Sequence, residues 1–332
     1  MLARFHAVLL PIGVLMILSI PSAFADRAEQ DGSTLAETTM VDRAQHSVSA
    51  GVNSFAQWID SFFYDERFVV EDASTRLRLS EAVLLEQGRA ARFKTRLNVK
   101  LDIPHFKNKL KLFVSSEDER NNQQPDNLNE NILNSNIEED AQLGLQYFAR
   151  SSRKRNLSLT LGVKLESLEV FAGPRLRRTW RLDGWQLRFT QRLRWFSKQS
   201  WRATTQVDLE KLLAPRLLFR QIVEGRWRRH DDGYRYQISP TLVQVLKSKK
   251  AIEYQWGNFF KTRPRHVLDE SVLSIRYRRR FWRNWLFYEF VPQLAFRNDD
   301  DFDPLPGINL RLEIVFGGNV NRRSVVRVTP TQ

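Results

Sequence analysis

Arginine and lysine recur at every second position in several stretches of this chain. Arg76 and Arg78 do so, then Arg92, Lys94, Arg96 and Lys100, then Arg188, Arg192 and Arg194, then Arg202, and finally Arg276 and Arg278. Successive side chains of an extended strand point to opposite sides, so this spacing gathers each run on one face. Stacked guanidinium groups form a track for carboxylates or phosphates, because each presents a planar fork of donors. Rings of such groups are also how anion pores select. The same segments carry Asp102, Glu166, Asp208, Glu210, Glu289 and Glu313. Pairing with these acids would instead fill an enclosed space with salt bridges, and the spacing alone leaves both outcomes open.

Candidates for catalysis are sparse. The chain has no cysteine, which excludes a disulfide scaffold, a thiolate metal site and a cysteine nucleophile. His46 lies in a polar leader, and His105, His230 and His266 fall in turns or loops. His230-Asp231-Asp232 is the one place where a histidine adjoins acids, on an expected outer loop. Lipid-modifying hydrolases need such constellations, but an Asp- and Gly-rich stretch reads first as a turn. Asp299-Asp300-Asp301-Phe302-Asp303 offers oxygens to a calcium ion but lacks the Gly and Glu spacing of a calcium loop. No catalytic, metal or cofactor-binding residue is assigned, and an enzyme is not expected.

The elements that would position the basic rows are strands. From Ala91 to Ile103, Ala91, Phe93, Thr95, Leu97, Val99, Leu101 and Ile103 share one face, while Arg92, Lys94, Arg96, Asn98, Lys100 and Asp102 share the other. The pattern recurs with Leu77 and Leu79 against Arg76 and Arg78, and with Leu157, Leu159, Leu161 and Val163 against Ser158, Thr160 and Lys164. Trp185, Leu187, Phe189, Leu193 and Trp195 oppose Arg188, Thr190, Arg192 and Arg194; Ile308, Leu310, Leu312, Ile314 and Phe316 oppose Asn309, Arg311 and Glu313. The run from Ala91 to Ile103 is long enough for the ~9–11 residues of a tilted strand across a bilayer. Counting all segments from 73 to 316 gives about fourteen strands, with twelve to sixteen open if a segment is split or merged, and bacterial single-chain barrels use even totals.

A soluble sandwich alternates too, so three further features decide the expectation. The apolar face is nearly without charge over many alternate positions. Trp180, Trp185, Trp195, Trp201, Trp227, Trp256, Trp282 and Trp285 mostly lie near strand ends, where interfacial girdles sit. Several alternate connections are short, while Glu117 to Asp140 and Arg297 to Gly307 are longer and polar. Closure is required as well, since an open edge in lipid would leave backbone groups unpaired.

Residues 1–25 read as a secretory signal. Arg4 starts it, an apolar core runs from Ala7 to Ile20, and Ala23-Phe24-Ala25 offers small residues to a signal peptidase. The core is shorter than the ~20 residues of a spanning helix, which weighs against a retained anchor. Residues 26–72 form a polar leader followed by an amphipathic helix over Gly51–Arg67, with Val52, Phe55, Ile59, Phe62 and Phe63 on one face. It would rest on the barrel mouth, the inner wall or the membrane interface. Residues 317–332 make a polar, basic tail. The net charge of +14 does not imply nucleic acid in an exported chain, because anionic lipid headgroups and lipopolysaccharide phosphates are closer partners.

Three segments carry a resemblance: Trp282 through Glu289 with Pro292, Arg177-Arg178-Thr179-Trp180 with Gly184-Trp185-Gln186-Leu187, and Leu312 through Gly317. They resemble an uncharacterised family of Gram-negative outer-membrane β-barrel proteins, over roughly residues 55–317. The resemblance implies location and fold, and carries no activity. The final strand also resembles the assembly signal read by the barrel-insertion machinery, with Phe316 as its aromatic, although the chain continues beyond it to Gln332.

The expectation is therefore an all-β, antiparallel transmembrane barrel in the outer membrane, with a short N-terminal helix. Its function would be a passive channel or porin with a basic, anion-preferring lumen lined by Arg76, Arg78, Arg92, Lys94, Arg96, Lys100, Arg188, Arg192, Arg194, Arg202, Arg276 and Arg278. The alternative is a non-conducting structural or assembly-linked barrel whose lumen is plugged by charge pairs and the Gly51–Arg67 helix. Expected partners are outer-membrane lipid, lipopolysaccharide, the assembly machinery and small anionic solutes.

Overall fold

A computed structural model of the protein describes Ile59, Phe62, Phe63 and residues 75–103, 109–115, 141–152, 154–231 and 233–317. Residues 1–25, expected to be a signal segment, most of residues 26–72, the connection 116–140 and the residues beyond Gly317 lie outside the described residues. The rest is fourteen strands in one closed antiparallel sheet, each hydrogen-bonded to its sequence neighbours and β1 to β14.

In chain order the strands are β1 Arg76–Glu86, β2 Arg92–Asp102, β3 Leu110–Ser115, β4 Gln142–Ser151, β5 Arg155–Lys164, β6 Glu169–Leu182 and β7 Trp185–Phe196. There follow β8 Ser200–Ala214, β9 Leu217–Arg228, β10 Tyr234–Lys247, β11 Lys250–Lys261, β12 Val267–Arg280, β13 Leu286–Arg297 and β14 Pro304–Gly317. Closure runs from Arg76 opposite Gly317 to Glu86 opposite Gly307 without a register shift. No edge strand remains, so every strand finds a partner on both sides.

The alternation sorts residues by wall. Inward positions of β14 hold Asn309, Arg311, Glu313 and Val315, all buried, while outward Ile308, Leu310, Leu312 and Phe316 are exposed. The contrast is general: Phe93 is 78% and Leu161 54% exposed, whereas Arg278, Glu210, Glu270 and Glu313 are all at 0%. An apolar outside around a charged inside reverses the polarity of a water-soluble domain.

One end of the barrel joins even strands to the odd strands that follow, and it also holds the start of β1 and the end of β14. We call it the turn end, and the opposite one the loop end. The turn-end links are tight: Leu182 to Trp185, Ala214 to Leu217 and Lys247 to Lys250. Gly184 stands in the first with a φ of 74°, a left-handed conformation that a residue without Cβ adopts readily.

Two strands begin earlier than the alternation indicates. β12 starts at Val267, ahead of the alternation that the sequence shows over 272–280, because its pairing with β11 shifts register between Phe259 and Phe260 and the two-residue period slips there. β14 starts at Pro304, not Ile308, with Pro304 opposite Phe296 and Pro306 opposite Leu294. Prolines read as turn signals, yet at the rim a missing N–H disrupts little of the ladder.

Candidate functional site

Every member of the expected basic track occupies an inward register position. Arg78, Arg96, Arg188, Arg194, Arg202, Arg276 and Arg278 are buried, and Arg76, Arg92, Lys94, Lys100 and Arg192 are half-buried. They do not form one uniform row. The structure divides them among three settings, according to what faces them.

The first setting is an ion-pair network on β1, β12, β13 and β14. Glu289 accepts from Arg276 Nη2 at 2.8 Å, from Arg311 Nη1 at 3.2 Å and from Arg278. Glu313 accepts from Arg78 Nε at 3.0 Å and from Arg278 Nη2 at 2.5 Å. Arg276 also lies 3.8 Å from Glu253 on β11. Alternation explains the assembly: the acids and bases fall on inward positions of adjacent strands, with Arg278 directly opposite Glu289 and Glu289 opposite Arg311. Buried charges tolerate such a place only when paired and hydrogen-bonded.

A second network lies at the loop end of the same side. Arg297 donates to Glu86 at 2.5 and 2.9 Å and to Glu270 at 2.9 Å. Arg89 lies 3.2 Å from Glu86 and Arg92 lies 3.9 Å from it. On β8 and β9, Glu210 accepts from Arg220 at 2.8 Å and from Gln186 at 3.1 Å, with Arg188 at 3.7 Å. Of the acids expected to pair inside, Glu289, Glu313 and Glu210 do so, and Asp208 accepts from Gln206 at 2.7 Å. Glu166 does not belong with them. It is exposed in the link between β5 and β6, beyond the last inward residue Lys164.

The remaining wall, β2 to β7, differs in sign. Its described inward side chains include Arg92, Lys94, Arg96, Lys100, Lys111, Lys164, Arg175, Arg177, Arg188, Arg192 and Arg194, with the acid Glu169 among them; Asp102 takes the inward position opposite Lys111, but its side chain lies outside the described ones. Glu169 sits at the rim, where one carboxylate oxygen accepts from the backbone N–H of Lys198 at 3.0 Å and of Gln199 at 2.7 Å. Cations stand directly opposite cations on the inward face: Arg76 and Lys100, Arg175 and Arg192, and Arg194 and Arg202.

Aromatic rings hold part of this wall. Phe171 and Phe196 meet inside at 5.7 Å; Arg194 lies over Phe171 at 5.0 Å, and Arg202 over Phe196 at 4.5 Å. Gly144 and Gly162 face each other across β4 and β5 and make room for the rings of Phe113 and Phe171. The sequence reading placed aromatics outward and missed these inward rings. It also missed Glu86, Glu270 and Arg297, which lie at strand ends beyond the clearest alternation.

At the turn end, Ile59, Phe62 and Phe63 are helical and buried in an apolar cluster with Leu218, Val243, Val245, Ala251, Phe287 and Val315. All six barrel members are inward positions. Phe62 meets the ring of Phe287 edge-on at 6.0 Å, and Arg276 lies over Phe63 at 5.1 Å. The helical face expected over Gly51–Arg67 is thus described at three of its residues, and those three rest on the inner wall.

The other singled-out residues serve elsewhere. His230 Nδ1 lies 3.2 Å from the Gln199 carbonyl, and Asp231 lies 3.7 Å from Arg228, an arrangement that ties two loop-end links together. Asn298–Asp300 is a short 3-10 turn whose Asp300 accepts from Arg89 at 3.1 Å. Phe316 points outward, 48% exposed, with its ring 5.3 Å from that of Trp285.

No family model and no curated protein matches the chain, so the family resemblance rests on the three segments that carry it. Solved structures do resemble it. OmpT of Vibrio cholerae, described as outer-membrane expressed, is 8% identical over 74% of this chain and 98% of that one, with a TM-score of 0.44. An anion-selective porin from Comamonas acidovorans is 6% identical over 73% and 98%, with a TM-score of 0.45. OprB of Pseudomonas putida is 8% identical over 73% and 94%, with a TM-score of 0.48.

Proposed function

We propose that the protein is an outer-membrane barrel of a Gram-negative bacterium and that its lumen passes small anions along the basic wall of β2 to β7. The membrane reading is supported by the exposed aliphatic outer wall and by aromatic residues gathered at both rims. Trp195 stands opposite Trp201 near the loop end, and Trp180, Trp185 and Trp285 lie near the turn end. Indole rings favour such an interface. Phe316, exposed at the end of the last strand, is suited to recognition by the barrel-insertion machinery.

The observation that carries the anion reading is the inward juxtaposition of like charges, Arg76 with Lys100, Arg175 with Arg192 and Arg194 with Arg202. Among the described residues, most inward acids lie on β1 and β8 to β14, and the inward charged side chains of β2 to β7 are mostly basic. A passing anion lowers its energy there, while a cation raises it. Planar-bilayer recording of the full chain under a potassium chloride gradient tests this. A reversal potential of the sign set by chloride supports it, and cation preference overturns it.

The apolar cluster around Phe62 favours a second reading, in which the turn end is stoppered and the resting barrel does not conduct. Under that reading, Phe62→Ala combined with Phe63→Ala produces currents that the native chain lacks. Equal silence of both proteins counts against either form of channel.

A further inference from the structure

We propose that the outer rim at the turn end holds two binding seats for the phosphate of an anionic glycerophospholipid. One is built on Arg155 and Arg178, the other on Lys250 and Arg279. The inference rests on the membrane reading above and is independent of what the lumen passes.

Arg155 on β5 is the register partner of Arg178 on β6, and Lys250 on β11 is the partner of Arg279 on β12. All four take outward positions on the last rungs before the turns. Each pair therefore sets two cations side by side on the same face, about 5 Å apart at Cβ, which is unfavourable unless an anion lies between them. Among the described residues no carboxylate pairs with any of the four. The loop end is built differently. There Lys261 pairs with Asp269, Arg228 with Asp231 and Arg89 with Asp300. Among the described residues of the turn-end links, only Asp183 is acidic.

The surroundings specify a lipid phosphate over a soluble one. The next outward rung from Arg155 and Arg178 is Leu157 opposite Leu176, both exposed, and Leu159 follows, also exposed. From Lys250 and Arg279 the next rungs are Ile252 with Tyr277, then Tyr254 with Ile275. A phosphate seated on either pair thus has an apolar strip beneath it, along which acyl chains run. Aromatic rings flank both seats at headgroup depth: Arg178 lies 4.9 Å over the ring of Trp180, and Tyr288 stands opposite Arg279.

The full chain reconstituted into phosphatidylcholine vesicles, with trace spin-labelled phosphatidylglycerol or spin-labelled phosphatidylcholine, provides the test. The motionally restricted fraction reads lipid association. The expected result is a preference of about five-fold for phosphatidylglycerol, the effect of roughly one cation near a charged headgroup. Combining Arg155→Gln, Arg178→Gln, Lys250→Gln and Arg279→Gln abolishes it, replacing the three arginines by Lys retains it, and Lys261→Gln at the other rim leaves it unchanged. In the native chain, raising salt from about 50 mM to about 500 mM reduces it through screening, a readout that needs no variant to fold. A chain that floats with the vesicles yet shows no preference overturns the seats alone. So does a preference that survives both neutralisation and salt, or one that millimolar inorganic phosphate removes at constant ionic strength. A chain that does not float with the vesicles overturns the membrane reading and the seats together.

Discussion

Arg278 on β12 reaches past β13 to Glu313 on β14, donating from Nη2 at 2.5 Å while its Nη1 is held by Glu289 on the strand between. One buried guanidinium thus ties three consecutive strands beside the closing seam, and Arg78 ties the fourth by donating to Glu313 from β1. The seam is where closure is decided, because β1 and β14 are the most distant strands in sequence. An interlocked charge network there specifies which partner and which register complete the barrel.

Glu313→Gln removes the charge that both Arg78 and Arg278 face. Removing one partner of a buried pair leaves an uncompensated charge, and the expected loss is about 3–5 kcal/mol. Asp300→Asn, at the more exposed pair with Arg89, is expected to cost no more than about 1 kcal/mol. Urea unfolding of the barrel refolded into vesicles compares the two. Equal midpoints would show that the network contributes nothing to closure.

The outer wall offers a separate test. Leu161 lies on the outward face of β5 and is 54% exposed. On a water-soluble barrel Leu161→Arg would fall within about 0.5 kcal/mol. In lipid, away from the interfaces, it should destabilise by about 2–4 kcal/mol. Glu81 bears on the same question from the opposite side. It takes an outward position midway along β1 and accepts from Thr95 Oγ1 at 2.8 Å. Glu81→Leu should stabilise the barrel in vesicles, and the same unfolding assay reports the sign.

Strand number, wall assignment and the inward placing of the basic residues were legible because alternation is a local property. Arg92, Lys94 and Arg96 announce their face through Phe93, Thr95 and Leu97, with no knowledge of what lies across the barrel. What faces them is not local. That Arg278 meets Glu289 and Glu313, while Arg192 meets Arg175, depends on register between strands. The inward rings were hidden for a related reason: Phe171 fits inside because Gly162, on the neighbouring strand, has no side chain there. The early starts of β12 and β14 were masked by a register slip and by prolines, both of which interrupt the two-residue period.

If the wall of β2 to β7 sets ion preference, its charges should act without regard to the networks opposite. Arg175→Gln with Arg192→Gln removes one inward cation pair and leaves Glu289, Glu313 and their partners in place. The expected result is a reversal potential displaced toward zero in a salt gradient, because two positive charges are taken from the inner face. An unchanged reversal potential in a conducting variant would place the selecting groups elsewhere in the lumen.

Gly162 and Phe171 give the most local prediction. A Cβ built on Gly162 would lie 2.4 Å from Phe171 Cζ and 2.8 Å from the Leu143 carbonyl oxygen, so neither the ring nor the backbone has room for it. Gly162→Ala should therefore destabilise by about 1–3 kcal/mol, as overpacking does elsewhere. Phe171→Ala in the same chain removes the ring and with it half of the clash, so the double variant should lose less than the sum of the two single changes. Arg194, which lies over Phe171, would lose its support in both proteins that carry Phe171→Ala. A double-mutant cycle on the unfolding free energy measures the coupling. Strict additivity would mean that the ring and the glycine do not share that space.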